Sequence, residues 1–314
     1  MDMNAKNFLR DVLGGCLVEL GAKDENVVVV NADLMGTCRN RTFVETYPKR
    51  SFNVGIAEQN MISFAAGLAH EGFKAYTFSM APFISMRACE QVRTDVAYGN
   101  LDVRMIATYA GVSGGISGAT HWSVEDCGIM VAIPNMVVME PSDPIQARQM
   151  MDCSLSHKGP IYIRSSVEPV PDIYNEDYCF ELGKASIAVE GDDGAYICSG
   201  VTVKYAVEAA KRMEEEKGKH IRVVDMHTLK PIDRDAIISA AKTGSVVVAQ
   251  DHNIIGGLGS LVAAVIAETG IFSKFMIRGI RDEFATMAHA PYLYRKYGYD
   301  TDGLYNAMVG LLEE

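Results

Sequence analysis

Short apolar runs alternate with amphipathic stretches along most of the chain. The runs are rich in valine and isoleucine, and the stretches between them repeat apolar residues every three to four positions. This alternation predicts a parallel sheet covered by helices, because a strand buried on both faces is apolar throughout. In the first half of the chain it predicts strands at 27–31, 75–78, 103–108, 136–139 and 161–164, and helices at 7–20, 58–70, 86–98 and 144–156.

The periodicity is interrupted at residues 165–184, which contain Pro169, Pro171 and a stretch rich in Glu, Asp and Tyr. The pattern then restarts, with strands predicted at 195–198, 221–224 and 245–250, helices at 203–216 and 234–242, and a further helix opened by Gly256, Gly257 and Gly259. We therefore expect an α/β protein of two domains, each a mostly parallel sheet with helices on both faces. The expected bounds are 1–165 for the first domain, 166–184 for a linker and 185–314 for the second domain.

Composition and charge argue against several classes of function. The 314 residues include 29 basic and 40 acidic side chains, and a net charge of −11 repels a nucleic-acid backbone. No apolar run approaches the roughly 18 residues that a membrane span requires, and no secretory signal precedes the first helix, so we expect a cytoplasmic protein. The seven cysteines form no CxxC pair and predict neither a disulfide framework nor a zinc site. We expect them to be reduced and buried.

Residues 52–70 read FNVGIAEQNMISFAAGLAH. A turn at Gly55 leads into a helix whose first-turn carboxylate, Glu58, precedes an apolar face that includes Met61, Phe64 and Leu68. By this pattern alone, Glu58 is best interpreted as a surface glutamate that complements the helix dipole.

The same segment closely resembles the pyrimidine-binding segment of transketolase and other thiamine diphosphate enzymes. The resemblance continues through ADL at 32–34, RACEQVR at 87–93, a glycine-rich loop ending in ATH at 119–121, IPNMVVMEPSD at 133–143, RVVDMHTLKPID at 222–233 and DHNIIGGLGS at 251–260. It covers nearly the whole chain and corresponds to the C-terminal half of a full-length transketolase. It implies a pyrimidine-binding domain followed by a transketolase C-terminal domain.

The resemblance also implies a partner subunit. In the family, Mg²⁺ and the cofactor diphosphate are held by a GDG-plus-Asn motif in a separate preceding domain. The nearest match here, at residues 191–194, follows the linker and reads as a turn before a strand. We therefore expect a separately encoded N-terminal transketolase subunit that carries the GDG-Asn site. Thiamine diphosphate and Mg²⁺ would then be held largely by that partner, in a heterotetramer or dimer of dimers.

By the same resemblance, Glu58 hydrogen-bonds the cofactor's pyrimidine ring and so favours the tautomer that generates the reactive carbanion. The ring needs an aromatic platform, which Phe83 supplies or, in the alternative register, Phe78. Core packing remains an alternative role for either phenylalanine. His121, at the end of the glycine-rich loop, would contact the donor's hydroxyl or carbonyl oxygen and help to move protons.

The resemblance also implies which residues bind the substrate. Asp33 and Thr37 resemble the segment that lies near the cofactor and the sugar phosphate, although Asp33 is equally interpretable as a strand-end cap. Tyr109 and Ser117 stand where transketolases have a His-Asp pair and an acidic residue that recognises a sugar hydroxyl. They therefore imply altered hydroxyl selection and an unusual donor, including a modified or sulfonated sugar. Arg164, after a predicted strand, is the nearest candidate for binding phosphate or sulfonate.

The leading hypothesis is ketol transfer from a ketose to an aldose. One alternative is a decarboxylating enzyme of 2-oxo acids, resembling 1-deoxyxylulose-5-phosphate synthase or the beta chain of pyruvate dehydrogenase. The KPID segment and the ATH loop favour transketolase over it. Another alternative is a non-catalytic subunit of such an assembly, and the presence of Glu58 argues against it.

Overall fold

Two sheets organise residues 6–313, the part of the chain that the computed structural model describes. The strands are β1 Asn7–Phe8, β2 Val27–Asn31, β3 Ser51–Asn53, β4 Lys74–Met80, β5 Val103–Thr108, β6 Val137–Met139, β7 Ile161–Arg164, β8 Pro169–Val170, β9 Ser186–Val189, β10 Gly194–Cys198, β11 Ile221–Asp225, β12 Thr228–Lys230, β13 Ser245–Asn253 and β14 Lys274–Ile280. The helices are α1 Leu9–Lys23, α2 Arg41–Thr46, α3 Glu58–His70, α4 Cys89–Gln91, α5 Asp126–Ala132, α6 Pro144–Ser156, α7 Thr202–Lys217, α8 Arg234–Ala241, α9 Leu258–Thr269, α10 Ala290–Tyr297 and α11 Thr301–Glu313. Among these helices none combines the length and the apolar character needed to cross a bilayer.

The first sheet has the strand order β12-β6-β7-β5-β4-β2-β3. All of its neighbouring strands are parallel except β12, which runs antiparallel to β6. Every residue of β2, β5 and β7 is buried, which explains why these strands are apolar along their length and were predicted at the observed bounds. The carboxyl ends of β2, β3, β4 and β5 meet at one edge, the position where open α/β sheets bind ligands.

The second sheet has the order β14-β13-β10-β11-β9, with only β9 antiparallel to its neighbour. The predicted class, two α/β domains with mostly parallel sheets flanked by helices, is confirmed. No element was predicted after residue 270, whereas β14, α10 and α11 lie there. Most residues of β14 are only partly buried, so its pattern KFMIRGI lacks the uniform apolar character of a central strand.

Two short strands pair with strands on the other side of the predicted domain bounds. β8 lies within the predicted linker and pairs with β1, with Asn7 opposite Val170. β12 lies in the second half of the chain but completes the first sheet by pairing with β6. The linker region is therefore attached to the first domain, and the two halves share backbone hydrogen bonds as well as side-chain contacts.

The helix predicted at 86–98 forms only in part. The structure divides the region into a π-helical segment at Phe83–Arg87, the short helix α4 and a second π-helical segment at Val92–Ala97. The amide of Ala88 donates to the carbonyl of Phe83 at 3.1 Å, a bond that spans five residues. A π-turn contains more residues than an α-turn, so a pattern based on a period of 3.6 does not reveal it.

The cysteines are free thiols, as expected, but burial was overestimated. Cys16, Cys38, Cys127 and Cys198 are buried, whereas two others are partly buried and Cys179 is exposed.

Asp225, at the end of β11, is a fully buried acid at the junction of the two halves. Its Oδ2 accepts hydrogen bonds from the Ser142 hydroxyl at 2.6 Å, the Gln146 amide at 2.9 Å and the Tyr174 hydroxyl at 2.8 Å. Burial, with a smaller contribution from the nearby Asp143 carboxylate, raises the pKa of Asp225 from 3.8 to about 7 against these hydrogen bonds.

We expect Asp225→Asn to weaken the dependence of stability on pH. The unfolded chain releases the Asp225 proton near pH 4 and the folded chain near pH 7. Between these values the free energy of unfolding therefore falls as pH rises, by at most about 1.4 kcal/mol per pH unit from this group. Chemical denaturation at about pH 5 and about pH 7 should show a smaller loss in the variant than in the wild type. Exposed Asp177, changed to Asn, is the matched control, and equal losses in all three proteins would contradict the expectation.

Candidate functional site

Glu58 begins α3, which follows β3 after residues 54–57 at the carboxyl edge of the first sheet. The pattern alone indicated a surface glutamate, but the residue is only 1% exposed. Its Oε2 accepts a hydrogen bond from Arg87 Nη1 at 2.8 Å, while its buried Oε1 has no hydrogen-bond partner among the described residues. Because buried polar atoms are normally hydrogen-bonded, this oxygen marks a position where a ligand N–H fits.

An aromatic ring and an imidazole extend the site from Arg87. The Arg87 guanidinium carbon lies 4.1 Å from the centroid of the Phe83 ring. The ring of His121 meets Phe83 edge to face, with 5.8 Å between centroids. His121 is exposed, and its Nδ1 lies 2.7 Å from the Thr120 hydroxyl. The structure therefore brings together Glu58, Phe83 and His121, which are separated by up to 63 residues in the chain.

Phe78 does not belong to this group. It lies within β4, is 0% exposed and packs in the hydrophobic core, so the alternative register for the aromatic platform is wrong. Phe83 lies three residues beyond the end of β4 and is partly exposed, because the chain has left the sheet at this point. Phe83 is thus the accessible ring of the two.

Asp33 lies at the same edge, just after β2, with a φ of 62° in the left-handed region. Its carboxylate Oδ1 accepts from Asn53 Nδ2 at 3.1 Å, and its amide donates to Asn53 Oδ1 at 3.0 Å. Asn53 was not singled out by the sequence analysis, although its position at the end of a short strand was the available signal. The side chain of Asp33 is exposed, and Thr37 is partly buried in the turn that follows.

Tyr109 and Ser117 lie on the glycine-rich loop after β5 and line a cavity of about 230 Å³. Arg10, on α1, lines the same cavity, and its Nη1 lies 3.5 Å from the Tyr109 hydroxyl. The buried Nε of Arg10 has no hydrogen-bond partner among residues 6–313. Arg10 was not predicted as a site residue, because nothing in the local pattern relates it to a tyrosine 99 positions away. The cavity therefore offers a guanidinium to a polar ligand.

Arg164 is not available to a substrate, which corrects the expectation that it binds phosphate. It is 0% exposed and pairs with two buried carboxylates. Its Nε and Nη2 donate to Asp126 at 2.9 and 3.1 Å, its Nη1 donates to Glu140 at 2.7 Å, and Nη2 also reaches the backbone carbonyl of Asp251 at 3.1 Å. Burial opposes its charge, but the two carboxylates and nearby Cys127 raise the pKa of Arg164 well above its usual value. Arg164 therefore links the two halves of the protein.

The same buried region contains three potential metal ligands, Asp126, Cys127 and His252. Both Asp126 oxygens already accept hydrogen bonds from Arg164. Burial raises the pKa of the Cys127 thiol and lowers that of His252, whose Nδ1 lies 2.7 Å from the Asn253 carbonyl. A cation would have to displace a guanidinium that is already paired, so we interpret the three residues as part of the packing between the halves.

The edge of the first sheet thus carries two neighbouring sets of functional groups. One set is Glu58, Arg87, Phe83 and His121, which offers a buried hydrogen-bond acceptor beside an aromatic ring and an exposed imidazole. These groups suit a planar nitrogen heterocycle such as an aminopyrimidine, with its N–H directed at the unpartnered Oε1. The other set, around Arg10, suits the polar end of a substrate. The loop that carries both Ser117 and His121 connects the two sets.

Models of two families match the chain. "Transketolase, pyrimidine binding domain" covers residues 7–171, and "Transketolase, C-terminal domain" covers residues 183–304. Together they account for most of the described residues and divide the chain close to the predicted linker.

Three known proteins are similar over nearly their whole length. A putative transketolase C-terminal section of Methanocaldococcus jannaschii is 42% identical over 94% of this chain and 93% of its own. A 6-deoxy-6-sulfo-D-fructose transketolase subunit of a Clostridium species is 40% identical over 93% of this chain and 91% of its own. A solved split-gene transketolase, described as an inactive β4 tetramer, superposes with a TM-score of 0.90 at 37% identity and covers 98% of this chain and 99% of its own.

Proposed function

The chain belongs to the transketolase family, and on that premise we propose that it is the C-terminal subunit of a split, thiamine diphosphate-dependent transketolase. The proposed reaction transfers a two-carbon ketol unit from a ketose to an aldose. The observation that carries the proposal is the buried Glu58 carboxylate, which has one oxygen without a partner among the described residues and is linked through Arg87 to Phe83 and His121.

Each of these side chains has a defined task in the proposed reaction. Thiamine diphosphate, when bound, would supply the nucleophilic carbon that ketol transfer requires. Glu58 Oε1 accepts a hydrogen bond from the pyrimidine ring and so stabilises the tautomer required for activation. The Phe83 ring would pack against the pyrimidine, and Arg87 contacts both Glu58 and Phe83 and so holds them in place. His121, which is exposed at the end of the loop, donates or accepts a proton at a hydroxyl or carbonyl oxygen of the substrate.

We assign the cofactor diphosphate and Mg²⁺ to a separately encoded N-terminal subunit. Within residues 6–313, the three grouped potential metal ligands are the buried Asp126, Cys127 and His252, and both Asp126 oxygens are already paired with Arg164. The names of the similar proteins, a C-terminal section and transketolase subunits, support such a division. The proposed assembly is a heterotetramer or dimer of dimers in the cytoplasm.

We propose a donor ketose that ends in an oxyanion, either a phosphate or a sulfonate. Arg10 takes the part first given to Arg164, because its Nε is unpartnered and it lines the cavity beside Tyr109 and Ser117. A guanidinium binds phosphate and sulfonate alike. Ser117 offers a neutral hydroxyl to the sugar.

We expect the isolated chain to show no ketol transfer, and addition of the N-terminal subunit with thiamine diphosphate and Mg²⁺ to restore it. The reason is that this chain supplies only the pyrimidine side of the proposed site. A coupled assay with xylulose 5-phosphate, a sulfonated ketose or pyruvate as the donor is run on the isolated chain and on the reconstituted complex. Full activity of the isolated chain would contradict the split site.

The other outcomes of this assay distinguish the alternatives. Turnover of pyruvate without turnover of the ketose would indicate a 2-oxo acid decarboxylating enzyme. No turnover with any donor, together with assembly that is unaffected by Glu58→Ala, would indicate a non-catalytic subunit.

A further inference from the structure

The cavity beside Tyr109 is formed by both domains of the chain. The first domain contributes Arg10, Tyr109 and the glycine-rich loop, and Glu168 follows from the linker. The second domain contributes His289 and Ala290, at the start of α10. The local sequence around His289 predicts no site, and the residues that line the cavity with it come together only when the two domains pack.

The second domain also determines the position of the loop. A Cβ atom on Gly115 would lie 2.0 Å from the carbonyl oxygen of Ala288, so the loop backbone approaches the second domain more closely than any side chain allows. At the start of the loop, the amide of Val112 donates to the buried Asp251 carboxylate of β13 at 2.9 Å. Gly111, with a φ of 64°, would place a Cβ only 2.1 Å from the same carboxyl group. The segment around residue 288 is therefore a fixed wall of the cavity.

The charged side chains that line this cavity can bind a polar ligand. The unpartnered Nε of Arg10 is the cationic feature on the first-domain side. Glu168 also lines the cavity, and burial raises its pKa, while Lys204 and His289 act in the other direction. Lys204 donates to the carbonyl of Pro169 at 3.1 Å and is therefore held beside Glu168. The imidazole of His289 is exposed at the cavity, where it can donate a hydrogen bond.

We propose that His289 of the second domain is a substrate-binding residue, which hydrogen-bonds the oxyanion end of the donor ketose opposite Arg10. This inference rests on the proposed function for the identity of the donor. It makes the transketolase C-terminal domain a direct contributor to donor binding and specificity, in addition to its contacts with the first domain.

The test is steady-state kinetics of His289→Ala in the complex reconstituted with the N-terminal subunit. We expect the KM for xylulose 5-phosphate to rise about tenfold or more, because a hydrogen bond to a charged group is lost, with kcat changed by less than about twofold. His289→Gln, which keeps an N–H donor, should recover part of the loss. The matched control is Tyr292→Ala, an exposed α10 side chain outside the cavity, which should leave KM unchanged.

A second measurement separates this inference from the proposed function. The imidazole NMR signal of His289, assigned by its absence in His289→Ala, is followed in the full chain during titration with inorganic phosphate and with sulfate. We expect a saturable shift that is lost in Arg10→Ala. If the wild-type complex is active but His289→Ala has an unchanged KM, the inference is wrong and the proposed function stands. If the wild-type complex transfers no ketol unit, the proposed function is wrong, and the titration alone then decides, with no shift overturning the inference.

Discussion

Glu58→Ala is expected to lower the ketol-transfer rate of the reconstituted complex by on the order of 10²–10⁴-fold, the range found when a positioned acid–base group is removed. The structure places one oxygen of this carboxylate against Arg87 and leaves the other buried without a partner. In the proposed site, substitution removes the carboxylate that would hold the pyrimidine ring in its reactive form. Steady-state kcat at saturating cofactor measures the loss.

Two further variants make the Glu58 result interpretable. Glu58→Gln keeps the size of the side chain but loses the charge, and it should also be slow. Glu71→Ala removes an exposed glutamate just beyond the other end of α3, and it should remain within about twofold of the wild type. Thermal unfolding of each variant verifies that the fold is intact. Glu58→Ala with wild-type activity would overturn the assigned site.

Arg164→Leu should destabilise the protein by about 3–5 kcal/mol, the largest stability effect that we expect from a single substitution. The change leaves Asp126 and Glu140 buried without the guanidinium that neutralises them. It also removes a hydrogen bond to the Asp251 carbonyl, across the junction between the two sheets. Chemical denaturation gives the change in the free energy of unfolding.

Arg148→Leu is the control for Arg164→Leu. Arg148 forms a long, exposed ion pair with Glu19 at 3.9 Å, which should contribute no more than about 1 kcal/mol. A phosphate-binding role for Arg164 predicts a different result, with normal stability and a raised KM for phosphorylated donors only. That outcome would contradict the structural role.

Elements with a uniform pattern were predictable. The strands β2, β5 and β7 and the helices α3 and α6 begin and end where the sequence analysis placed them, because burial on both faces or a single apolar face leaves a clear local period. The irregular turns around Phe83 and the partly buried strand β14 were not predicted. Their local sequence lacks such a period, and their conformation depends on what packs against them.

The residues of the candidate site were likewise predicted only in part. The resemblance placed Glu58 and His121 in one site, and the structure brings them together through Phe83. It did not indicate that Glu58 is buried, since a first-turn glutamate has the same local pattern whether or not an arginine 29 positions away covers it. The choice between Phe83 and Phe78 likewise depends on the residue at which the chain leaves β4.

By itself, the sequence determined the α/β class, the two-domain order, the main strands and the segment that contains Glu58. Tertiary structure alone decided that Arg164 is a buried ion-pair partner, that Arg10 faces Tyr109 and that His289 reaches the cavity of the first domain. The physical reason is that the hydrophobic period of a strand or helix, and the burial of its faces, can be inferred from consecutive residues of the chain. Ion pairs and shared cavities depend on which side chains, distant in the sequence, come into contact when the two sheets pack. A local sequence pattern does not predict these contacts.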